Sequence, residues 1–136
     1  EVKIEKQVEF LGWVSGNKKE QAFQKASIYC LASDGEGFPM GVLDAWAYGI
    51  PCVVTPVGGI PDIVENGKNG LIFQIGDSKE LAQQLENMIT NKELRRKISE
   101  ESLCLAQKTF NISTINKKLE KIYQKINQNY NSYGTL

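Results

Sequence analysis

Short apolar runs alternate with segments of helical periodicity through the first half of the chain. The runs predict strands at residues 8–11, 28–31, 52–55 and 71–73. Helical spacing is present from Asn17 onward, at 40–48 and at 61–65. Parallel strands need crossover connections, which helices supply, so this alternation predicts a parallel sheet. The fold class is therefore α/β, a Rossmann-like parallel sheet with helices on both faces.

Capping signals mark the starts of two of the predicted helices. Asn17 is a candidate N-cap, and Glu20 stands three residues later, as in a capping box. Asp77 and Ser78 form a second capping signal, directly before a helical segment that carries Leu81, Leu85, Met88 and Ile89. Further amphipathic helices are predicted at 91–108 and 113–126.

The number of strands bears on how complete the predicted domain is. A doubly wound domain usually has five or six strands, whereas four are predicted here. We therefore expect an N-terminally truncated domain over residues 1–126, with its missing part upstream. Residues 127–136 are rich in Asn and Tyr, and we expect them to form a polar C-terminal tail that is frayed.

Composition excludes several function classes. Lys and Arg together number 16, as do Asp and Glu, so no basic surplus favours nucleic acid as a partner. The chain has no histidine, which removes the commonest general base and nitrogen ligand for metals. Cys30, Cys52 and Cys104 are too far apart in sequence for a CxxC site. Cys30 and Cys52 lie in apolar runs and are predicted to be buried in a reducing compartment.

Three loops are predicted to leave the carboxyl ends of strands, where open parallel sheets bind ligands. They lie at 32–39, 56–60 and 74–77. The first two are rich in Gly and Pro, which let the backbone approach a ligand closely. The predicted helix at 40–48 directs its free N–H groups towards the first loop. That arrangement is typical of a phosphate site.

Two carboxylates flank this loop and the start of the helix. Glu36 lies in the loop, and Asp44 lies one turn into the helix. Carboxylates accept hydrogen bonds from the hydroxyls of a sugar and a ribose. From the residues alone the alternatives stay open: Asp44 also complements the helix dipole, and Glu36 also suits a solvated loop.

Four motifs follow one another in a specific order and spacing along the chain. Residues 36–54 read EGFPMGVLDAWAYGIPCVV and resemble the pattern EGFG-x3-EAMA-x-G-x-PVV of family 4 glycosyltransferases. The other motifs are FLG at 10–12 with Val14, VGGIPDIV at 57–64 and NGKNGLIF at 66–73. The similarity extends over about residues 8–126. It implies the C-terminal, donor-binding domain of a retaining enzyme with the two-domain GT-B fold.

The resemblance also implies roles for individual residues. Glu36 corresponds to the family carboxylate beside the donor sugar and the reaction centre, and is the implied catalytic residue. Asp44 corresponds to the carboxylate that binds the ribose hydroxyls. The segment that touches sugar and phosphate corresponds to Gly37, Phe38, Pro39, Met40, Gly41 and Val42, and Gly58 and Gly59 form the second Gly-rich loop. The nucleotide-diphosphate sugar is the implied donor substrate. Neither a cofactor nor a metal is expected.

Three departures from the family pattern affect this interpretation. Asp44 replaces the usual Glu and is one methylene shorter, Pro39 replaces Gly and has no N–H, and Asp62 replaces Glu. The basic residues that clamp the pyrophosphate in the family belong upstream of residue 1, as does the acceptor-binding domain. We therefore expect that this chain alone transfers no sugar.

Two other interpretations and several properties of the whole protein stay open. One alternative is a non-catalytic nucleotide-sugar-binding module with the same fold, and the other is an unrelated phosphate-binding α/β domain. No GxGxxG follows the first strand, which disfavours the latter. A cytoplasmic location is expected, with peripheral attachment to the membrane through the missing half. The expected partners of the chain are the missing N-terminal domain and a second copy. The second copy would bind the sheet edge and cleft-facing surface that the missing parts would otherwise cover.

Overall fold

A computed structural model describes the backbone of residues 3–133 and the side chains of residues 3–128. After a 3-10 turn at Glu5–Gln7, helices and strands alternate over residues 16–90, and two further helices follow. The helices are α1 (Gly16–Lys25), α2 (Met40–Ala47), α3 (Ile60–Ile63), α4 (Ser78–Thr90), α5 (Lys92–Thr109) and α6 (Ile112–Tyr133). The strands are β1 (Tyr29–Leu31), β2 (Cys52–Val54) and β3 (Leu71–Ile72).

The three described strands form one parallel sheet in the order β1-β2-β3. Tyr29 is opposite Cys52 and Leu31 is opposite Val54, which is in turn opposite Ile72. The central strand β2 is buried along its whole length. Such a strand is uniformly apolar because both of its faces are covered, as in other parallel sheets.

Alternate residues of β2 belong to two separate apolar clusters. Cys52 and Val54 pack in a cluster with residues of α2, whereas Val53 packs on the opposite face with Met88 of α4. The first cluster comprises Val42, Trp46, Cys52, Val54, Val57, Ile60 and Val64, and the second comprises Val53, Leu71, Phe73, Met88 and Ile98. The predicted α/β fold, with helices on both faces of a parallel sheet, is confirmed.

The strand predicted at 8–11 is wrong. This segment is not helical or extended in a sheet, and Phe10 is 94% and Trp13 is 97% exposed. A strand is stabilised by backbone pairing and by burial against a neighbour. Among residues 3–133 no strand pairs with this segment, so its apolar pattern meets neither condition.

Cys30 is also placed differently from the prediction. It is exposed, whereas Cys52 is buried as expected. β1 is an edge strand among the described strands, and α4 contacts β2 on the face that Cys30 shares with Val53. Because β1 is an edge strand, the Cys30 side chain is only partly covered and stays exposed.

The helix ends confirm some capping predictions and correct others. Asp77 is the N-cap of α4, where its Oδ1 accepts from the backbone N–H groups of Lys79 (3.0 Å) and Glu80 (2.9 Å). The N-cap of α1 is Ser15, so the assignment of Asn17 is wrong by two residues. α6 continues to Tyr133, so residues 127–133 are helical and do not form the frayed tail that was predicted. Residues 134–136 lie outside the described residues.

Candidate functional site

The loops that follow β1 and β2 are in direct backbone contact. The N–H of Gly59 donates to the carbonyl of Gly37 at 2.9 Å. Gly58 has a φ of +54°, and a Cβ at this position would overlap the carbonyl oxygen of Glu36. Both the backbone conformation and the close approach therefore require glycine at residue 58. The two Gly-rich loops predicted from the sequence come together at the carboxyl edge of the sheet.

A chain of hydroxyl groups holds the Glu36 carboxylate. The Ser33 hydroxyl donates to Oε1 of Glu36 at 2.5 Å. The Thr55 hydroxyl, directly after β2, donates to the Ser33 carbonyl at 2.6 Å. Thr55 is buried and Glu36 is half-buried. The central strand thus stabilises the loop that presents Glu36, and leaves Oε2 of Glu36 without a protein partner among the described residues.

The start of α2 faces the same loop. Pro39 is the N-cap of this helix, is fully buried, and accepts at its carbonyl oxygen from the N–H of Val42 at 3.0 Å. No side chain caps the first turn of α2 among the described residues. Phe38 and Met40, on either side of Pro39, are 54% and 60% exposed. The positive end of the helix dipole is therefore open to a ligand.

Asp44 projects from the second turn of α2 and is paired with a residue of α1. Its Oδ2 lies 2.6 Å from Nζ of Lys19, and the two side chains are 33% and 44% exposed. The Lys19 ammonium also lies 5.9 Å from the ring centroid of Phe23. A cavity of about 280 Å³ opens beside this pair. It is lined by Gly16, Lys19, Glu20, Phe23, Asp44 and Tyr48.

Tyr29 packs beside the start of α2. Its phenol lies against the start of α2, where a Cβ at Gly41 would overlap the phenol oxygen. Burial, and then the negative charges of Glu36 and Asp44, raise the pKa of Tyr29. The neutral phenol is a hydrogen-bond donor beside the start of α2.

The structure gathers the predicted residues at one edge of the sheet. An added Cβ at Gly41, Gly58 or Gly59 would lie close against a neighbouring atom, and the Gly37 carbonyl accepts from the Gly59 N–H. Val42 is fully buried, and its N–H is already bonded to the Pro39 carbonyl. Sequence reasoning missed Lys19, Tyr29, Ser33 and Thr55. Ser33 and Thr55 carry a weak signal, since both are hydroxyl residues just after a strand. The sequence carries no such signal for Lys19 and Tyr29, because their contacts join segments that are distant in sequence.

The family model of group 1 glycosyl transferases matches residues 1–103. The chain belongs to this family. The N-acetyl-alpha-D-glucosaminyl L-malate synthase of Bacillus anthracis is 31% identical over 120 residues, which are 88% of this chain and 31% of that enzyme. A colanic acid biosynthesis glycosyltransferase of Salmonella typhimurium, described as putative, is 31% identical over 131 residues, 90% of this chain and 32% of its own length.

Solved structures of glycosyltransferases share the fold. Anabaena HepE, determined in complex with UDP-glucose, has a TM-score of 0.80 and 26% identity, over 89% of this chain and 33% of its own. The C-terminal domain of a group 1 protein from Francisella tularensis has a TM-score of 0.71 and 27% identity, over 80% and 56% of the two chains. This group 1 chain spans about a third of the length of the two curated relatives from Bacillus anthracis and Salmonella typhimurium. The fold is that of one domain of a GT-B glycosyltransferase.

Among the described helices of this group 1 chain, none is both long and apolar enough to cross a membrane.

Proposed function

We propose that this chain is the donor-binding part of a retaining glycosyltransferase. The full-length protein would transfer a sugar from a nucleotide-diphosphate sugar to a glycan or lipid-linked acceptor. One observation carries the proposal: the two Gly-rich loops interlock at the carboxyl edge of the sheet, with Glu36 and Asp44 beside the open start of α2. The UDP-glucose bound to HepE, a protein of the same fold, supports this choice of donor class.

The proposed roles follow from the chemistry of each group. The start of α2 meets the diphosphate, because the helix dipole favours negative charge there and the Gly41 N–H has no partner among the described residues. Asp44 accepts hydrogen bonds from the ribose hydroxyls, and the Glu36 carboxylate lies beside the transferred sugar. As positive charge develops at the anomeric carbon, a fixed carboxylate stabilises it. Ser33 and Thr55 hold that carboxylate in place.

For the reaction itself we propose displacement on one face of the sugar without a metal ion. The acceptor oxygen approaches the anomeric carbon on the same face of the sugar from which the diphosphate departs. The leaving diphosphate takes the acceptor's proton. This scheme needs no protein histidine in this chain, which has none. The catalytic groups that complete the site would belong to the acceptor-binding domain.

The second candidate is a nucleotide-sugar-binding module without transferase activity. Its specific support is the pairing of Asp44 with Lys19, which engages the carboxylate that would otherwise meet the ribose. Pro39 at the loop end also lacks an N–H for the donor.

The remaining proposals concern partners and location. The N-terminal acceptor-binding domain of the same protein is the proposed partner, and the three free cysteines are consistent with a reducing, cytoplasmic compartment. Exposed Phe10 and Trp13 support self-association of the isolated chain. Light scattering tests this last point, and a strict monomer at high concentration would contradict it.

The transferase proposal is tested with the full-length protein, a panel of UDP-, GDP- and ADP-sugars and candidate acceptors. We expect transfer from one donor, an unchanged anomeric configuration in the product by proton NMR, and activity that persists in EDTA. Glu36→Gln should abolish transfer and retain donor binding. Binding with no transfer to any acceptor would favour the non-catalytic module. Inversion of the anomeric centre would overturn the retaining mechanism, and turnover by this chain alone would overturn its assignment as a donor-binding part.

A further inference from the structure

We propose that Lys19 is a positioning residue of the donor site, which orients the shortened carboxylate of Asp44 towards the ribose. The inference rests on the proposed function, because it assumes that Asp44 meets the nucleotide. It goes beyond that function in assigning a role to α1, a helix with no buried residue among those described.

The ion pair leaves one carboxylate oxygen available. Lys19 Nζ is 2.6 Å from Oδ2 of Asp44, whereas Oδ1 has no protein partner among the described residues. A carboxylate can accept hydrogen bonds at both oxygens. With Oδ2 held by the ammonium, Oδ1 keeps a fixed direction and is free to accept from a hydroxyl of the ligand.

The position of Lys19 is itself determined by aromatic packing. Its ammonium lies over the Phe23 ring at 5.9 Å. Phe23 stacks on Tyr48 of the α2 C-cap at 5.6 Å and on Tyr29 of β1 at 6.0 Å. These contacts attach α1 to the two elements that carry the site. The Lys19 ammonium therefore contacts both the Phe23 ring and the Asp44 carboxylate.

Such a constraint matters more for Asp than for a longer carboxylate. The side chain of Asp44 is one methylene shorter than Glu, so its reach depends on a defined orientation. Its partial exposure of 33% leaves other orientations open when Lys19 is absent. The same exposure limits the effect, because a solvated ion pair contributes modestly.

The test measures donor affinity of the full-length protein by calorimetry. The donor is the UDP-, GDP- or ADP-sugar that the wild-type protein binds. The variants are Lys19→Met, Lys19→Arg, Asp44→Asn and the double variant Lys19→Met with Asp44→Asn. Lys18→Met is the matched control, since it removes the same charge from the same helix and Lys18 forms no ion pair among the described residues. Thermal unfolding of each variant verifies that the fold is retained.

We expect Lys19→Met to weaken donor binding about fivefold, or ~1 kcal/mol, with Lys18→Met unchanged and Lys19→Arg close to wild type. In the Asp44→Asn background, Lys19→Met should have no further effect, because Lys19 acts through that carboxylate. With a dideoxyribose analogue of the nucleotide, wild type and Lys19→Met should bind equally.

Each other outcome overturns the inference. Unchanged or tighter binding by Lys19→Met would mean that Lys19 is irrelevant or competes with the donor for Asp44. Equal losses in the wild-type and Asp44→Asn backgrounds would mean that Lys19 acts elsewhere. If the wild type binds a donor and Lys19→Met binds it equally well, this inference is wrong and the proposed function still holds. No binding of any donor by the wild type overturns the proposed function and this inference together.

Discussion

Gly58 and Glu36 are packed so closely that a methyl group on the Cα of residue 58 would overlap the Glu36 carbonyl oxygen. These residues belong to loops that leave neighbouring strands, β2 and β1. The contact therefore fixes the relative positions of the two loops around the candidate site. The neighbouring bond from the Gly59 N–H to the Gly37 carbonyl, at 2.9 Å, reinforces it.

Substitution of Gly58 is expected to damage both stability and binding. In Gly58→Ala, a left-handed backbone costs about 1–2 kcal/mol, and the overlap with backbone atoms adds roughly 1–3 kcal/mol. The backbone of residue 36 cannot rotate away as a flexible side chain would. Urea denaturation should show a loss of about 2–5 kcal/mol, and donor titration should show weaker binding.

Gly67→Ala is the matched control for this variant. Gly67 has a φ of +78°, and a Cβ there would meet nothing within 4 Å. It should therefore show the backbone cost of about 1–2 kcal/mol alone, with donor binding unchanged. Equal stability losses for the two variants would contradict the interlocked loops.

A second prediction concerns the contact between Gly41 and Tyr29. Gly41→Ala improves helix propensity by about 0.5–1 kcal/mol, but its methyl group overlaps the Tyr29 phenol oxygen and costs roughly 1–3 kcal/mol. We expect a net loss of stability that Tyr29→Phe partly restores in the double variant. Gly35→Ala, with nothing within 4 Å of its Cβ, is the control. Additive effects of Gly41→Ala and Tyr29→Phe would rule out the contact.

The fold was predictable from the sequence where local pattern and tertiary environment agree. The central strand needs an uninterrupted apolar run, and residues 52–54 supply one. Asp77 was predictable as an N-cap because its bonds run only two and three residues along the chain. The segment 8–11 has the same kind of pattern but no strand paired with it among the described residues. The strand predicted from that pattern alone was therefore wrong.

The candidate site was predictable only as far as its loops. The glycines and carboxylates of 35–44 mark a phosphate-binding turn in sequence. The hydroxyl chain from Thr55 through Ser33 to Glu36 spans 22 residues in sequence. The pair of Lys19 and Asp44 likewise joins α1 to α2. No local rule identifies such contacts, because they exist only once the strands have been brought together.

Burial of the Cys52 thiol predicts a specific dependence of stability on pH. Burial is the main cause that raises the pKa of Cys52 from 9.0 to about 11. The folded state then holds this proton more tightly than the unfolded state. The free energy of unfolding is therefore unaffected by Cys52 below pH 9.0 and falls between pH 9.0 and about 11.

The full loss from this thiol is about 2–3 kcal/mol. Urea denaturation at a series of pH values should show a smaller decline for Cys52→Ala than for wild type. The slope against pH is the readout, because the substitution also removes packing at every pH. Parallel slopes for the two proteins would contradict a thiol pKa raised by burial.

The cysteines should also differ in their reaction with a thiol reagent. Cys30 is exposed and Cys52 is buried, so Cys30 should react in the native protein and Cys52 only after unfolding. Partial burial raises the pKa of Cys30, so its reaction should be slow at neutral pH and accelerate in alkali. The Cys30→Ser variant identifies the fast phase. Rapid native labelling of Cys52 would contradict the described core.

Donor titration of the full-length protein tests the central claim most directly. Calorimetry with UDP-, GDP- and ADP-sugars should show binding of one donor by the wild type. Asp44→Ala should weaken donor binding about tenfold, because it removes hydrogen bonds to a charged group. Glu86→Gln, which removes an exposed carboxylate on α4, should bind like the wild type. Failure of the wild type to bind any of the donors, or binding unaffected by Asp44→Ala, would contradict a donor site between these loops.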